Sequence, residues 1–199
     1  MSIRSLSVAK AGYVGVGSIA ALLALGQVVV MSQSTRPAAR AIDISAADIQ
    51  RVISAPNGGI DRQLHVVDMG KHSVGVGILR RGKTPPGATP GALSHANVSE
   101  VYYIVSGSGT LLTGGTVKDV KPVADDSDTV KVLVGPSSSA TFVHAAQSRK
   151  VGPGDVVIIP PGVYHGFGDI PDHVEYLSVR SDVDHVLPAG YVHPLLSRP

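Results

Sequence analysis

Two stretches decide how this chain reads. The first is Gly87–Gly107, GATPGALSHANVSEVYYIVSG, and the second is Gly154–Asp169, GDVVIIPPGVYHGFGD. In the first, Gly87, Leu93, His95, Glu100 and Gly107 are spaced G-x5-L-x-H-x4-E-x6-G. In the second, Gly154, Pro160, Gly162 and His165 are spaced G-x5-P-x-G-x2-H, and Asp169 stands four residues beyond His165. Glu100 lies near the start of the apolar run Val98–Val105, which is rich in Val, Tyr and Ile and so reads as a strand. Period two puts Tyr102 and Ile104 on its face. A carboxylate on such a face is partly buried, and an unpaired buried charge is costly. A metal ion or a histidine partner relieves that cost. His165 follows the rigid turn Pro160-Pro161-Gly162, which fixes where its ring points.

Working outward, the flanks alternate between short apolar runs and turn residues. Gln63–Met69 and Ser73–Arg80 read as a hairpin split at Gly70 and Lys71. Arg81–Ala92, rich in Pro and Gly, reads as a loop, as does the polar Lys118–Asp128. Thr110–Thr113, Val130–Val134, Ala140–Ala145, Arg149–Val151, Val156–Ile159 and Glu175–Arg180 are further strands. After Ser181 no period is clear. One helix is expected over 46–54, where Ser45 precedes Asp48 by three and Ile49, Val52 and Ile53 follow at helical spacing. Many short strands with turns between them imply an all-β sandwich, jelly roll or barrel.

The two stretches together resemble the cupin superfamily, whose first motif carries two histidines and a glutamate and whose second carries a third histidine. Both motif glycines place Leu93 where the family usually has its first histidine, His95 at the second and Glu100 at the carboxylate. Taking His95 as the first histidine, with Asn97 in place of the second, breaks the glycine spacing. Asp169 stands where the family has Asn. The resemblance implies a double-stranded β-helix, a jelly-roll β-barrel over 61–199, with the short helix outside it. It also implies that His95, Glu100 and His165 face one spot inside the barrel. Neutral imidazole and carboxylate suit a first-row divalent ion, Fe, Mn, Ni or Zn, and three such donors leave positions open for water or substrate, as in non-haem Fe(II) oxygenases. Since Leu93 removes one donor, a metal-free pocket holding a sugar or other metabolite is the alternative. Tyr102 is expected to line the pocket, and His72, opening a strand before the first motif, to reach the barrel mouth. Gly87, Gly107, Gly154 and Gly162 are read as turn residues.

The start of the chain reads differently. Arg4 and Lys10 are the only charges before Arg36, and the residues between Lys10 and Arg36 are uncharged. A basic start and an apolar run are expected of an export signal over 1–34. Residues 11–31 are also nearly long enough to cross a bilayer, so a retained membrane anchor is the competing reading. Either places the barrel outside the cytoplasm, in the periplasm or secreted, with 35–60 as linker and helix. Without Arg4 and Lys10 the remaining chain has 15 basic and 15 acidic residues. A neutral domain has no electrostatic reason to seek nucleic acid. There is no Cys, which excludes disulfides, thiolate zinc sites and cysteine nucleophiles. The expected partner is a small molecule, and a homodimer stays open. The family includes dioxygenases, isomerases, lyases, decarboxylases, sugar binders and storage proteins, and fold does not choose among them.

Overall fold

The structure, a computed structural model, describes residues 40–56 and 58–197. The segment 1–34, with its expected signal or anchor, lies outside the described residues. Contacts divide the chain after Ala41, and every element below belongs to the unit Ile42–Pro199.

Helix α1 spans Ala46–Ile53. The Ser45 hydroxyl accepts from the Asp48 amide and the Asp48 carboxylate accepts from the Ser45 amide, so each end of this capping box satisfies a free helix donor. Val52 and Ile53 face inward onto Leu64 and Ile78, and α1 thereby covers part of the outer face of a sheet. Burying such an apolar stripe, more than helix propensity, holds a helix this short.

The strands are β1 Asp61–Asp68, β2 Ser73–Gly82, β3 Gly91–His95, β4 Val98–Gly107, β5 Gly109–Thr113 and β6 Thr116–Pro122. A six-residue π-helix, Thr129–Val134, follows. Then come β7 Ser137–His144, β8 Gln147–Val151, β9 Val156–Ile159, β10 His165–Phe167 and β11 His173–Asp182. They form a five-stranded sheet in the order β1-β2-β11-β4-β9 and a six-stranded sheet in the order β6-β7-β3-β10-β5-β8. Ladder pairs in both sheets are antiparallel. The sheets close over a shared core in which Leu79, Ile104 and Tyr176 of the first meet Leu111, Val151 and Phe167 of the second. This is the all-β double-stranded helix expected from the two motifs, with the short helix outside.

Three local expectations are corrected. Val130–Val134, expected as a strand, lies in the π-helix, where Thr129, Leu133 and Val134 turn to one cavity at spacings of four and five. That is a helical period, which the β-branched run disguised. Within Arg81–Ala92, expected as loop, β2 runs on to Gly82 and β3 begins at Gly91. Lys118–Asp128, expected as loop, begins in β6, whose polar side chains suit its place at the sheet edge. In β11 the inward positions are Val174, Tyr176, Ser178, Arg180 and Asp182, while Val179 is exposed. Polar residues therefore face inward here and an apolar one faces out.

Candidate metal centre

The motif glycines do turn the chain: φ is +76° at Gly87, +68° at Gly107, +90° at Gly154 and +78° at Gly162. These are left-handed conformations that side chains resist. Between these turns the chain delivers three side chains to one place. His95 ends β3 and His165 opens β10, both in the six-stranded sheet, while Glu100 is the third residue of β4 in the other. The Gly162 amide donates to the His95 carbonyl at 2.8 Å, tying the second motif's turn to the first motif's histidine. One ligand atom from each of the three lies within 4.8 Å of the others, and all three residues are buried.

The protons can be followed. His165 Nδ1 lies 2.9 Å from the Val163 carbonyl, which can only accept, so Nδ1 carries the proton. Ser137 Oγ donates to the Gly135 carbonyl at 2.8 Å and is left to accept from His95 Nδ1 at 2.9 Å. In the neutral rings both Nε2 atoms then present lone pairs. They point at one oxygen: Glu100 Oε2 is 3.3 Å from His95 Nε2 and 3.1 Å from His165 Nε2. Burial lowers the pKa of His95, favouring its neutral ring. Burial pushes Glu100 up, but hydrogen bonding with His165 and His95, which takes a proton on the facing Nε2, and the charge of Arg180 outweigh this, and its carboxyl stays well below the usual range. Two imidazole lone pairs and an ionised oxygen thus converge. Such a set calls for a cation between its members, either a proton or a metal ion, and the donor types fit a first-row divalent metal.

Around the centre is a polar network that sequence reasoning missed. Arg180 is fully buried. Its guanidinium reaches Glu100 Oε1 at 3.4 Å and also donates to Gln63 Oε1 and Asp61 Oδ2. Ser178 donates to Glu100 Oε1 at 2.6 Å and the Tyr102 hydroxyl donates to Oε2 at 3.1 Å. Arg180 has room because β2 carries Gly75 and Gly77 on its inward face. A Cβ at Gly77 would lie 2.8 Å from Arg180 Nη1, and one at Gly75 would lie 2.6 Å from Gln63 Nε2. The signal was present as glycines at period two opposite an arginine in a strand, but it names no ligand. Among the described residues, Asp61 Oδ1 is the one buried side-chain oxygen or nitrogen without a hydrogen-bond partner.

These residues open on a cavity of about 360 Å³, lined by His95, Glu100, His165, Tyr102 and Arg81 among others, with Leu93 in its wall. Burial raises the pKa of Tyr102 well above its ordinary value, so it stays a neutral donor. His72 is not among the lining residues. It sits in the β1–β2 turn, where its carbonyl accepts from the Met69 amide at 2.9 Å. It stands seven positions before Leu79, the first cavity residue of β2, which is roughly 23 Å of extended chain.

No curated protein matches the chain. Among solved structures, one from Bacillus halodurans has 16% identity and a TM-score of 0.44, covering 81% of this chain and 91% of that one. An uncharacterised conserved protein with a double-stranded β-helix domain from Klebsiella pneumoniae has 14% identity and a TM-score of 0.39, covering 73% of this chain and 92% of that one. The EutQ protein of Clostridium difficile has 14% identity and a TM-score of 0.36, covering 62% and 68%. The Cupin family model matches residues 44–193, which take in both motifs, all eleven strands and the three converging side chains. The chain belongs to the cupin family.

Proposed function

We propose that this chain is an exported cupin that holds one divalent transition metal through His95, Glu100 and His165 and takes a small molecule into the cavity above it. The observation that carries the reading is the convergence of two imidazole Nε2 atoms on Glu100 Oε2, with both Nδ1 protons committed elsewhere. Partners on Nδ1 orient the rings as metal ligands and raise their basicity. A bound ion would supply Lewis acidity toward an oxygen of the small molecule. The chain's own groups do the rest: Tyr102, Ser178 and Arg180 hold Glu100 ionised and aimed, and Leu79, Leu93 and Leu133 give the cavity an apolar wall. Export is supported by the basic start and the apolar run of residues 11–31, whether cleaved or retained as an anchor.

Leu93 favours a second reading, a metal-free binding module without catalysis, since it sets an apolar side chain in the cavity wall at a position where the family usually has a ligand. Metal analysis separates the two. The purified full chain is expected to carry close to one equivalent of a first-row metal, and His165→Ala to lose it while remaining folded by circular dichroism. A metal-free chain that is no more stable with Fe, Mn, Ni or Zn salts than with EDTA refutes the metal reading and leaves the binder.

A further inference from the structure

Arg81 is the only Arg or Lys among the described residues that line the cavity. It lies on the inward face of β2, two residues beyond Leu79. Two aromatic groups hold it: its Nε donates to the Tyr176 hydroxyl at 3.0 Å, and its guanidinium carbon sits 5.7 Å from the centre of the Phe167 ring. No acid forms an ion pair with it among the described residues: the two acids of the cavity wall, Asp61 and Glu100, are both engaged by Arg180, although the charge of Asp61 still reaches it. Its two terminal nitrogens make no hydrogen bond among the described residues. Four forked donors, positioned but unused beside a partly open cavity, match the planar oxygens of a carboxylate. Charge points the same way. With a divalent ion at the centre, Arg81 and Arg180 on one side and Asp61 and Glu100 on the other leave the site with an excess of positive charge.

We propose that Arg81 anchors one carboxylate of a small dianionic ligand whose other oxygen group faces the His95–Glu100–His165 centre, so that the substrate class is small dicarboxylates. This rests on the metal reading above for the second contact but not for the first. The cavity, about 360 Å³, stands at the lower end of small-molecule sites and suits a short chain of carbons.

The test is calorimetric titration of the full chain loaded with Mn²⁺. The probes are oxalate, malonate, succinate and glutarate, with the matching diamides as uncharged controls. The best diacid is expected to bind about ten-fold or more tightly than its diamide, because a charge-assisted pair is lost in the amide. Arg81→Gln is expected to weaken that diacid by about ten-fold or more and to leave Mn²⁺ affinity within about two-fold, while Arg81→Lys keeps most of the binding. Should Mn²⁺ bind normally while diacids bind no better than diamides, or bind Arg81→Gln as well as the parent, the Arg81 assignment is overturned and the metal reading stands. Should Mn²⁺ fail to bind, the metal reading falls and the same titrations are read on the metal-free chain. There, Arg81-dependent binding of diacids supports the anchor, and its absence refutes it. If Arg81→Gln does not fold, Arg81→Lys and the diacid-to-diamide ratio of the parent decide.

Discussion

Glu100 has both oxygens occupied within the protein, Oε1 by Ser178 and Arg180 and Oε2 by Tyr102 and the two histidines. It is at once the charge that the fold needs and the ligand that the site needs. Glu100→Gln keeps the shape and removes the charge, leaving Arg180 to Asp61 alone. Breaking a buried ion pair at one partner typically costs about 3 kcal/mol or more. The variant is therefore expected to lose metal and to unfold at a clearly lower urea concentration, whereas His165→Ala loses metal at a smaller cost in stability. Equal midpoints for Glu100→Gln and the parent would show that Arg180 does not depend on this carboxylate. The three converging residues could be read from the chain because a glycine-framed spacing, a strand period and a rigid turn each specify a direction. Arg180, Ser178 and Gln63 were hidden because nothing local to a strand says which polar residue will find a buried partner on another strand.

At the scale of elements, what was legible followed the strength of the local pattern. The β1–β2 hairpin, β4 and α1 came through because alternation or capping chemistry is explicit in their residues. β3 and β10 were obscured by the prolines and glycines that frame the site, since His165–Phe167 is only three residues long and holds its place by pairing with β3 and β5. β11 was placed, but its buried side was not specified by its residues, because the interior at that level is polar while Val179 lies exposed on the other face. The turn between β8 and β9 gives an element-scale prediction. Asp155 accepts from the Gly152 amide at 2.9 Å and pairs with Arg149 at 2.8 Å. The Gly152 hydrogen bond, with help from Arg149, lowers the Asp155 pKa. A carboxyl depressed on folding contributes stability above its unfolded pKa, and that contribution fades as pH falls through the folded value. Asp155→Asn is thus expected to be less stable than the parent at neutral pH, with the gap closing in strong acid. Urea titrations of both proteins across that range check it, and a gap independent of pH would remove the charge from the explanation.

For the molecule as a whole, the metal reading makes a thermodynamic prediction. A ligand that binds only the folded state at one hundred times its dissociation constant adds about 2.7 kcal/mol. For a domain of this size that is roughly 5–11 °C in melting temperature. Calorimetric scans with Mn²⁺ and with EDTA are expected to differ by that order, with the difference growing as the metal concentration rises. A melting point indifferent to metal concentration contradicts the reading. Two imidazoles come from one sheet and the carboxylate from the other. An ion gripped by all three would act as a rivet through the sandwich, and transient gaping of its halves would have to rupture a coordinate bond. Loading the centre would then slow solvent isotope exchange at amides deep in both sheets, far from the rivet itself.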